Sequence, residues 1–277
     1  MTTKLRPAFN RLSSATLAVI LGSSMLQAAP EMDAAMANSI IEQHQDAIVE
    51  VRVVHKMTIR LIDGPEELAE MIAQQPAETS DQEAPGVMIH PSGLVAVAGV
   101  MLDPTMLISE VSASTPLGEL RIGLQGQLSE ARILMADGRE IPADVVMRDP
   151  ETGLMFLKPS DQTEAGFPAV IPDPSGGHAA AFTRILALGR MSADFGREPA
   201  VILARTTGKI ESRRNLDRLA TNDSGIIGLP LFDANKAFLG FATVPASGDN
   251  SMPSPRDFSG FMVPAATIHL LAKDHVD

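Results

Sequence analysis

One serine of the chain has neighbours that could support nucleophilic catalysis. Ser224 lies between Asp223 and Gly225 in the polar segment 222–225. A serine hydroxyl attacks a carbonyl carbon only when a neighbouring base removes its proton and a third group orients that base. The same residue types also form polar turns, and we favour a turn because the sequence identifies no base for Ser224.

Histidine is the side chain that most often supplies such a base. The chain has six histidines, which are His44, His55, His90, His178, His269 and His275. Each is predicted to be a surface or half-buried residue, with His90 in a turn and His55 leading into an acidic segment. None shares a metal-binding spacing with another histidine or with paired carboxylates, and the chain has no cysteine. The sequence therefore predicts no metal site, no cofactor and no disulfide.

Composition and charge narrow the classes of partner. The chain has 277 residues, of which 45% are hydrophobic and 20% charged, and its formal net charge is −12. These values are typical of a globular protein with a sizeable core. The negative charge argues against nucleic acid and anionic lipid as partners, because both repel an acidic surface. It does not limit protein partners.

The first 28 residues have the features of an export signal. Lys4, Arg6 and Arg11 precede a short apolar run at 15–21, and the small residues Ala28 and Ala29 follow. The run is too short to span a bilayer comfortably. We expect residues 1–28 to be a signal peptide and the protein to be periplasmic or extracellular. The alternative is an uncleaved signal that anchors the chain to the membrane.

The remaining pattern is β-rich. Met32, Met36 and Ile40 predict a short amphipathic helix, and the alternating run 48–54 predicts a strand. The polar stretch 63–85 predicts a long surface loop, in which residues 66–74 could form one or two helical turns. Further short apolar runs predict strands at 86–89, 94–102, 131–135, 141–148, 154–158, 185–188, 200–204, 229–232, 238–244 and 258–263. A Pro/Gly/Ser-rich linker at 168–177 separates two β-rich halves, and a terminal helix is predicted from Pro264. This organisation favours barrels or a sandwich.

Five motifs occur in a defined order along this pattern. They are GVMIHPSGLV at 86–95, ADGRE followed by ADVV at 136–146, DPETGLMFLK at 149–158, GLPLFD followed by FLGF at 228–241, and GFMVP at 260–264. In this order they resemble the protease domain of the HtrA/Deg family of trypsin-like serine proteases.

The resemblance implies an all-β fold, a trypsin-like double six-stranded β-barrel with short N- and C-terminal helices. It would form one domain over residues 29–277, with an N-terminal barrel at about 31–165, a C-terminal barrel at about 178–264 and a helix at 264–274. We expect no PDZ domain after it.

The chain departs from the family at all three positions of the catalytic triad. The resemblance places Val100 where the family has its histidine, Gly153 where it has its aspartate and Ile227 where it has its serine. None of these side chains can accept or donate a proton, so we predict no catalytic residue. The wider trypsin-like superfamily has a GDSGGP nucleophile motif. A gap of three residues would therefore make Ser224 a displaced nucleophile.

Two functions follow as hypotheses. The first is a non-catalytic, exported HtrA homologue that binds a protein or an extended peptide, or that regulates an active protease relative. The second is a serine endopeptidase using Ser224. Because the family commonly assembles as trimers, we also expect homo- or hetero-oligomers. The segment 63–85 lies where members of the family vary a loop that contacts the other subunits. A role in stabilising an envelope assembly is a third option.

Overall fold

The computed structural model describes residues 33–106, 110–115, 118–161, 166–176, 179–209, 216–220, 224–244 and 260–276. It is mostly β, with thirteen strands and four α-helices in the described ranges. The predicted signal peptide at 1–28 lies outside them.

The N-terminal half begins with a helix and continues into a sheet that closes on itself. Helix α1 (Ala34–His44) is capped by Asp33, whose side chain accepts a hydrogen bond from the amide of Met36 at 2.9 Å. The strands are β1 (Ile48–Asp63), β2 (Glu78–Met88), β3 (Val95–Ala98), β4 (Glu110–Thr115), β5 (Gly118–Leu134), β6 (Glu140–Asp149) and β7 (Leu154–Pro159). Their order is β1-β2-β3-β7-β6-β5-β4, and a further pairing of β1 with β5 completes a ring of six strands.

Two short helices interrupt this half. Helix α2 (Glu66–Ala73) lies between β1 and β2, and the single turn α3 (Gly99–Leu102) follows β3. The distal part of β1 pairs with β5 well beyond the ring, so that β1, β5 and β4 project as a three-stranded ribbon.

The C-terminal half is a closed six-stranded barrel followed by a helix. Its strands are β8 (Arg184–Arg190), β9 (Pro199–Lys209), β10 (Asp217–Ala220), β11 (Pro230–Phe232), β12 (Phe238–Thr243) and β13 (Phe261–Pro264), in the order β10-β13-β12-β11-β8-β9. Helix α4 (Ala265–Ala272) starts directly after Pro264. Short 3-10 turns occur at Gln45–Ala47, Pro104–Met106, Ala193–Phe195, Ser224–Ile226 and Lys273–His275.

Strand alternation explains where the core lies. Val49, Val51 and Val53 occupy alternate positions of β1 and are fully buried, because a strand directs every second side chain to the same face. They belong to a cluster that also includes Phe232 and Ile268 of the second half. A smaller cluster fills the interior of the C-terminal barrel. The large cluster therefore joins the two halves.

The expected fold class is confirmed. The structure contains a closed six-stranded barrel, a second sheet whose pairings form a ring of six strands, and short helices near both ends, as expected for a trypsin-like architecture. The domain bounds themselves stay a prediction.

Two local predictions were wrong. The stretch 63–85 is not a loop as a whole, since the helical turns allowed for within 66–74 are present as α2, and the first half of β2, which was not expected, follows. Backbone pairing with β1 holds the polar residues Glu78–Glu83 in a strand, although their own propensity is low. The predicted strand 94–102 ends at Ala98 and turns into α3. Strands β4 and β10 were not predicted.

Candidate functional site

The turn after β3 carries Val100, which the resemblance to the HtrA/Deg family aligns with that family's histidine. Gly99 donates its amide hydrogen to the carbonyl of Gly153 at 2.8 Å, and Asp103 closes the turn by donating to the Gly99 carbonyl at 2.7 Å. A Cβ at residue 99 would lie 2.9 Å from the Met155 Cβ, so only glycine fits there. Val100 follows as a buried residue, 8% exposed. Its isopropyl group offers no proton acceptor.

At Gly153, which the resemblance aligns with the family's aspartate, the backbone of Val244 comes close to the Cα atom. Gly153 has a φ of 72°, in the left-handed region that favours glycine. A Cβ there would overlap the carbonyl oxygen of Val244 and lie 2.8 Å from the Thr243 hydroxyl oxygen. An aspartate therefore has no room at residue 153 unless the chain at the end of β12 moves.

The third position lies on a turn that reaches both barrels. Ile227 is half-buried and packs against both hydrophobic clusters. The next residue, Gly228, has a φ of 89°, and a Cβ on it would lie 3.0 Å from the sulfur of Met101 and 3.1 Å from a ring carbon of Pro85. Met101 adjoins Val100, and the Gly99 amide bonds to the Gly153 carbonyl, so the three positions lie at one junction of the two barrels, which we call the groove.

The displaced candidate nucleophile belongs to the same turn. Ser224 is the first residue of the 3-10 turn Ser224–Ile226, which precedes Ile227. Asn222, Asp223 and the side chain of Ser224 lie outside the described part of the structure. The choice between a polar turn and a nucleophile at residue 224 therefore stays a prediction.

The histidines are distributed among other contacts. The His44 ring stacks on Phe232 with its centroid at 4.6 Å, and its Nε2 lies 3.4 Å from the Lys236 carbonyl. Burial lowers the pKa of His44 from its usual value, an effect that this carbonyl partly offsets. The Nδ1 of His90 accepts a hydrogen bond from the Ser92 amide at 3.2 Å and lies 2.9 Å from the Ser92 hydroxyl. These contacts stabilise the turn in which His90 lies.

The other histidines lie elsewhere in the fold. His269 is on α4 and His275 is in the 3-10 turn after it, while His178 is outside the described ranges.

His55 was assigned to the wrong environment. It is 1% exposed, on the inward face of β1 after Val53, instead of leading into a loop. Neither ring nitrogen has a hydrogen-bond partner among the described residues. The alternation of Val49, Val51 and Val53, continued by two residues, was the signal that could have located it.

Two arginines of the second barrel bind the first barrel, and sequence reasoning missed both. Arg190 donates hydrogen bonds to the carbonyl oxygens of Ile48 at 2.9 Å, Gln45 at 2.6 Å and Arg197 at 2.9 Å. Burial lowers the pKa of Arg190, and nearby Asp46 and Glu50 oppose this shift. Arg197 forms an ion pair with Glu50. These bonds fix the barrels relative to each other and therefore help to position the residues of the groove.

The described ranges show neither a candidate metal site nor a membrane-spanning helix. Within the described ranges, no three His, Cys, Asp or Glu residues come together as a potential metal site. No helix in those ranges has the length and apolarity that crossing a membrane would require.

Comparison with known proteins gives a structural similarity only. No protein-family model matches the chain, and no curated protein matches its sequence. Among solved structures, the chain is similar to the crystal structure of the Rv3671c protease in its inactive form. The sequence identity is 16% and the TM-score 0.49, over 89% of this chain and 97% of that chain. At this level, the similarity assigns neither an activity nor a site to the chain.

Proposed function

We propose that the chain is an exported, non-catalytic homologue of HtrA-type serine proteases that binds an extended protein segment between its barrels. The observation that carries this proposal is the closure of the Gly153 position by the Val244 carbonyl. A triad needs a carboxylate to hold its histidine in one orientation, and here backbone occupies the space of that carboxylate. Val100 and Ile227 add no proton acceptor beside it.

The groove has features that suit binding. Met101 is exposed and lies beside Gly228 and Pro85, so it offers an adaptable apolar contact. Extended peptides commonly bind by adding a strand to an open sheet edge, which requires backbone hydrogen bonds but no catalytic group. An exported protein with these properties would hold unfolded segments or the tail of an active protease relative.

The alternative is a serine endopeptidase with a displaced nucleophile. Ser224 favours it, because this residue opens the turn that carries Ile227 into the groove. That mechanism also requires a base and an oxyanion site, and the three groove positions supply neither.

Covalent labelling separates the two functions. We expect the purified chain neither to react with a fluorophosphonate probe nor to cleave casein, because an unactivated serine hydroxyl is a poor nucleophile. An active trypsin-like protease serves as the positive control. Labelling of the wild-type chain that disappears in Ser224→Ala would overturn the proposal in favour of the endopeptidase.

Peptide selection tests the binding function itself. A phage-displayed library of random peptides should enrich ligands whose affinity falls at least about tenfold in Met101→Asp, the loss expected for one central apolar contact. The matched control is Leu270→Asp, which places the same charge at an exposed apolar position on α4. Selected peptides that bind both variants equally well would exclude the groove as the binding site.

A further inference from the structure

Methionine is the residue of this chain that an oxidant modifies most readily. The chain contains 15 methionines and no cysteine, tryptophan or tyrosine. Peroxides convert the thioether of methionine into a sulfoxide, which is polar, and methionine sulfoxide reductases reverse the reaction. The consequence of oxidation therefore depends on which methionines an oxidant can reach in the folded chain.

Three methionines of the described part of the chain are exposed. Met71 on α2 is 62% exposed, Met191 after β8 is 41% exposed, and Met101 in α3 is 38% exposed. The other methionines in the described ranges are half-buried or buried. We therefore expect a peroxide to react with these three side chains first, because the rate of oxidation follows exposure.

The sulfur of Met101 forms part of the contact between the barrels. It lies 3.0 Å from the position that a Cβ on Gly228 would occupy, and a ring carbon of Pro85 lies 3.1 Å from the same position. Gly228 belongs to the turn before β11 in the second barrel, and its amide donates to the Ala242 carbonyl of β12 at 2.9 Å. The thioether thus fills the space that a side chain at residue 228 would take, and the contact is apolar.

Buried methionines pack against the start of α3. The sulfur of Met106 and the Cβ of Met155 lie 2.5 and 2.9 Å from the position that a Cβ on Gly99 would occupy. Met106 is 8% exposed and Met155 is fully buried. Close packing keeps an oxidant away from both as long as the chain is folded. Oxidation around α3 is therefore confined to Met101.

We propose that Met101 is a reversible oxidation site that controls the contact between the barrels. A hydroperoxide transfers one oxygen atom to the thioether. A lone pair of the sulfur forms the S–O bond, the O–O bond breaks, and the peroxide leaves as water or an alcohol. The sulfur is oxidised by two electrons, and the peroxide is reduced by the same two.

The added oxygen is incompatible with the apolar contact at Gly228. A sulfoxide oxygen accepts hydrogen bonds, and its burial without a donor costs free energy. The side chain of Met101 therefore turns towards solvent, and Gly228 and Pro85 lose its contact. We expect the turn before β11 to become looser. The groove also loses the apolar contact for a bound peptide, and only this consequence rests on the proposed function.

Mass spectrometry of the peroxide-treated chain tests the site. In the folded chain, sulfoxide should form at Met101, Met71 and Met191 at least about tenfold faster than at Met106 and Met155. In urea, where the chain is unfolded, these differences should disappear, which controls for the reactivity of each sulfur. A folded chain in which Met101 reacts as slowly as Met155 would overturn the proposal.

Amide hydrogen exchange tests the consequence for the barrels. Treatment of the wild-type chain with hydrogen peroxide should speed exchange in residues 226–232 on the order of tenfold, because a looser turn opens more often. Each variant is compared with its own untreated form. Met101→Leu keeps an apolar side chain without a sulfur and should not respond, whereas the matched control Met71→Leu should respond as the wild-type chain does.

Two results of that experiment would contradict the role of Met101. The first is an equal response of Met101→Leu and Met71→Leu to peroxide. The second is fast exchange that persists in the wild-type chain after treatment with methionine sulfoxide reductases for both sulfoxide epimers, since the site would then not be reversible.

Peptide affinity separates this inference from the proposed function. Ligands selected on the untreated chain should bind the peroxide-treated wild-type chain at least about tenfold more weakly, and peroxide should cause no such loss in Met101→Leu. Ligands whose affinity for the wild-type chain survives oxidation of Met101 would show that this residue does not control the groove. If selection yields no ligand, the proposed function fails, while hydrogen exchange still decides whether oxidation of Met101 loosens the barrels.

Discussion

The two barrels meet through two contacts of opposite chemistry. In the groove, Val100, Gly153 and Ile227 contribute no titratable group, and the backbone of Val244 fills the space beside Gly153. At the other contact, the guanidinium of Arg190 donates to three carbonyl oxygens.

The contrast shows that the polar residues that stabilise the fold differ from those that stand at the family's catalytic positions. The Arg190 hydrogen bonds and the large hydrophobic cluster both hold the barrels together. The part that Ile227 takes in this packing is apolar, so the fold does not require a polar residue in the groove.

Restoring an acid in the groove should cause the largest effect. Gly153→Asp should lower the free energy of unfolding by at least about 3 kcal/mol, because the residue would be overpacked and held at an unfavourable φ. Gly153→Ala should cost nearly as much, since the overlap begins at Cβ. Urea denaturation followed by circular dichroism measures both.

Gly138→Ala is the matched control for that series. Gly138 also has a positive φ, 86°, but a Cβ there meets nothing within 4 Å. Gly138→Ala should therefore cost only the free energy of holding alanine at a positive φ, about 1 kcal/mol. If the variants at 153 and 138 lose the same stability, the approach of Val244 is not what closes the groove.

Much of the scaffold could be predicted from local sequence. The Asp137-Gly138 turn and the alternation of Val49, Val51 and Val53 each follow from the short-range preferences of their residues. The first half of strand β2 could not be predicted, because Glu78–Glu83 is polar and acquires its strand from pairing with β1. Helix α3 was missed for a similar reason, since the apolar run does not show where β3 ends.

The site could be predicted only in part. Motif positions located Val100, Gly153 and Ile227, which the structure brings together, but nothing local showed that Val244 approaches Gly153. Nor could the sequence reveal that Arg190 reaches Ile48, since the partners are backbone atoms 142 positions away. That no residue acts catalytically stays a prediction.

Removing the charged contact should have an intermediate effect. Arg190→Met keeps much of the side chain's length but leaves three carbonyls without this donor, so we expect a loss of about 2–3 kcal/mol in the free energy of unfolding. Arg121→Met is the control, because Arg121 forms an exposed ion pair with Glu110 at 2.8 Å and should cost less than about 1 kcal/mol. Equal losses in the two variants would mean that the Arg190 contact does not hold the barrels together.

The smallest effect should be a pH dependence at the edge of the same contact. Burial keeps the pKa of His44 below the value of 6.5 that it has in an unfolded chain. The unfolded chain therefore binds more protons than the folded one just below pH 6.5, so the free energy of unfolding falls as the pH drops through 6.5 towards the folded pKa. His44→Phe keeps an aromatic ring on Phe232 and removes this titration. The wild-type chain should lose more stability than the variant between pH 8 and pH 5, as measured by urea midpoints. Identical losses would show that the fold does not shift the protonation of His44.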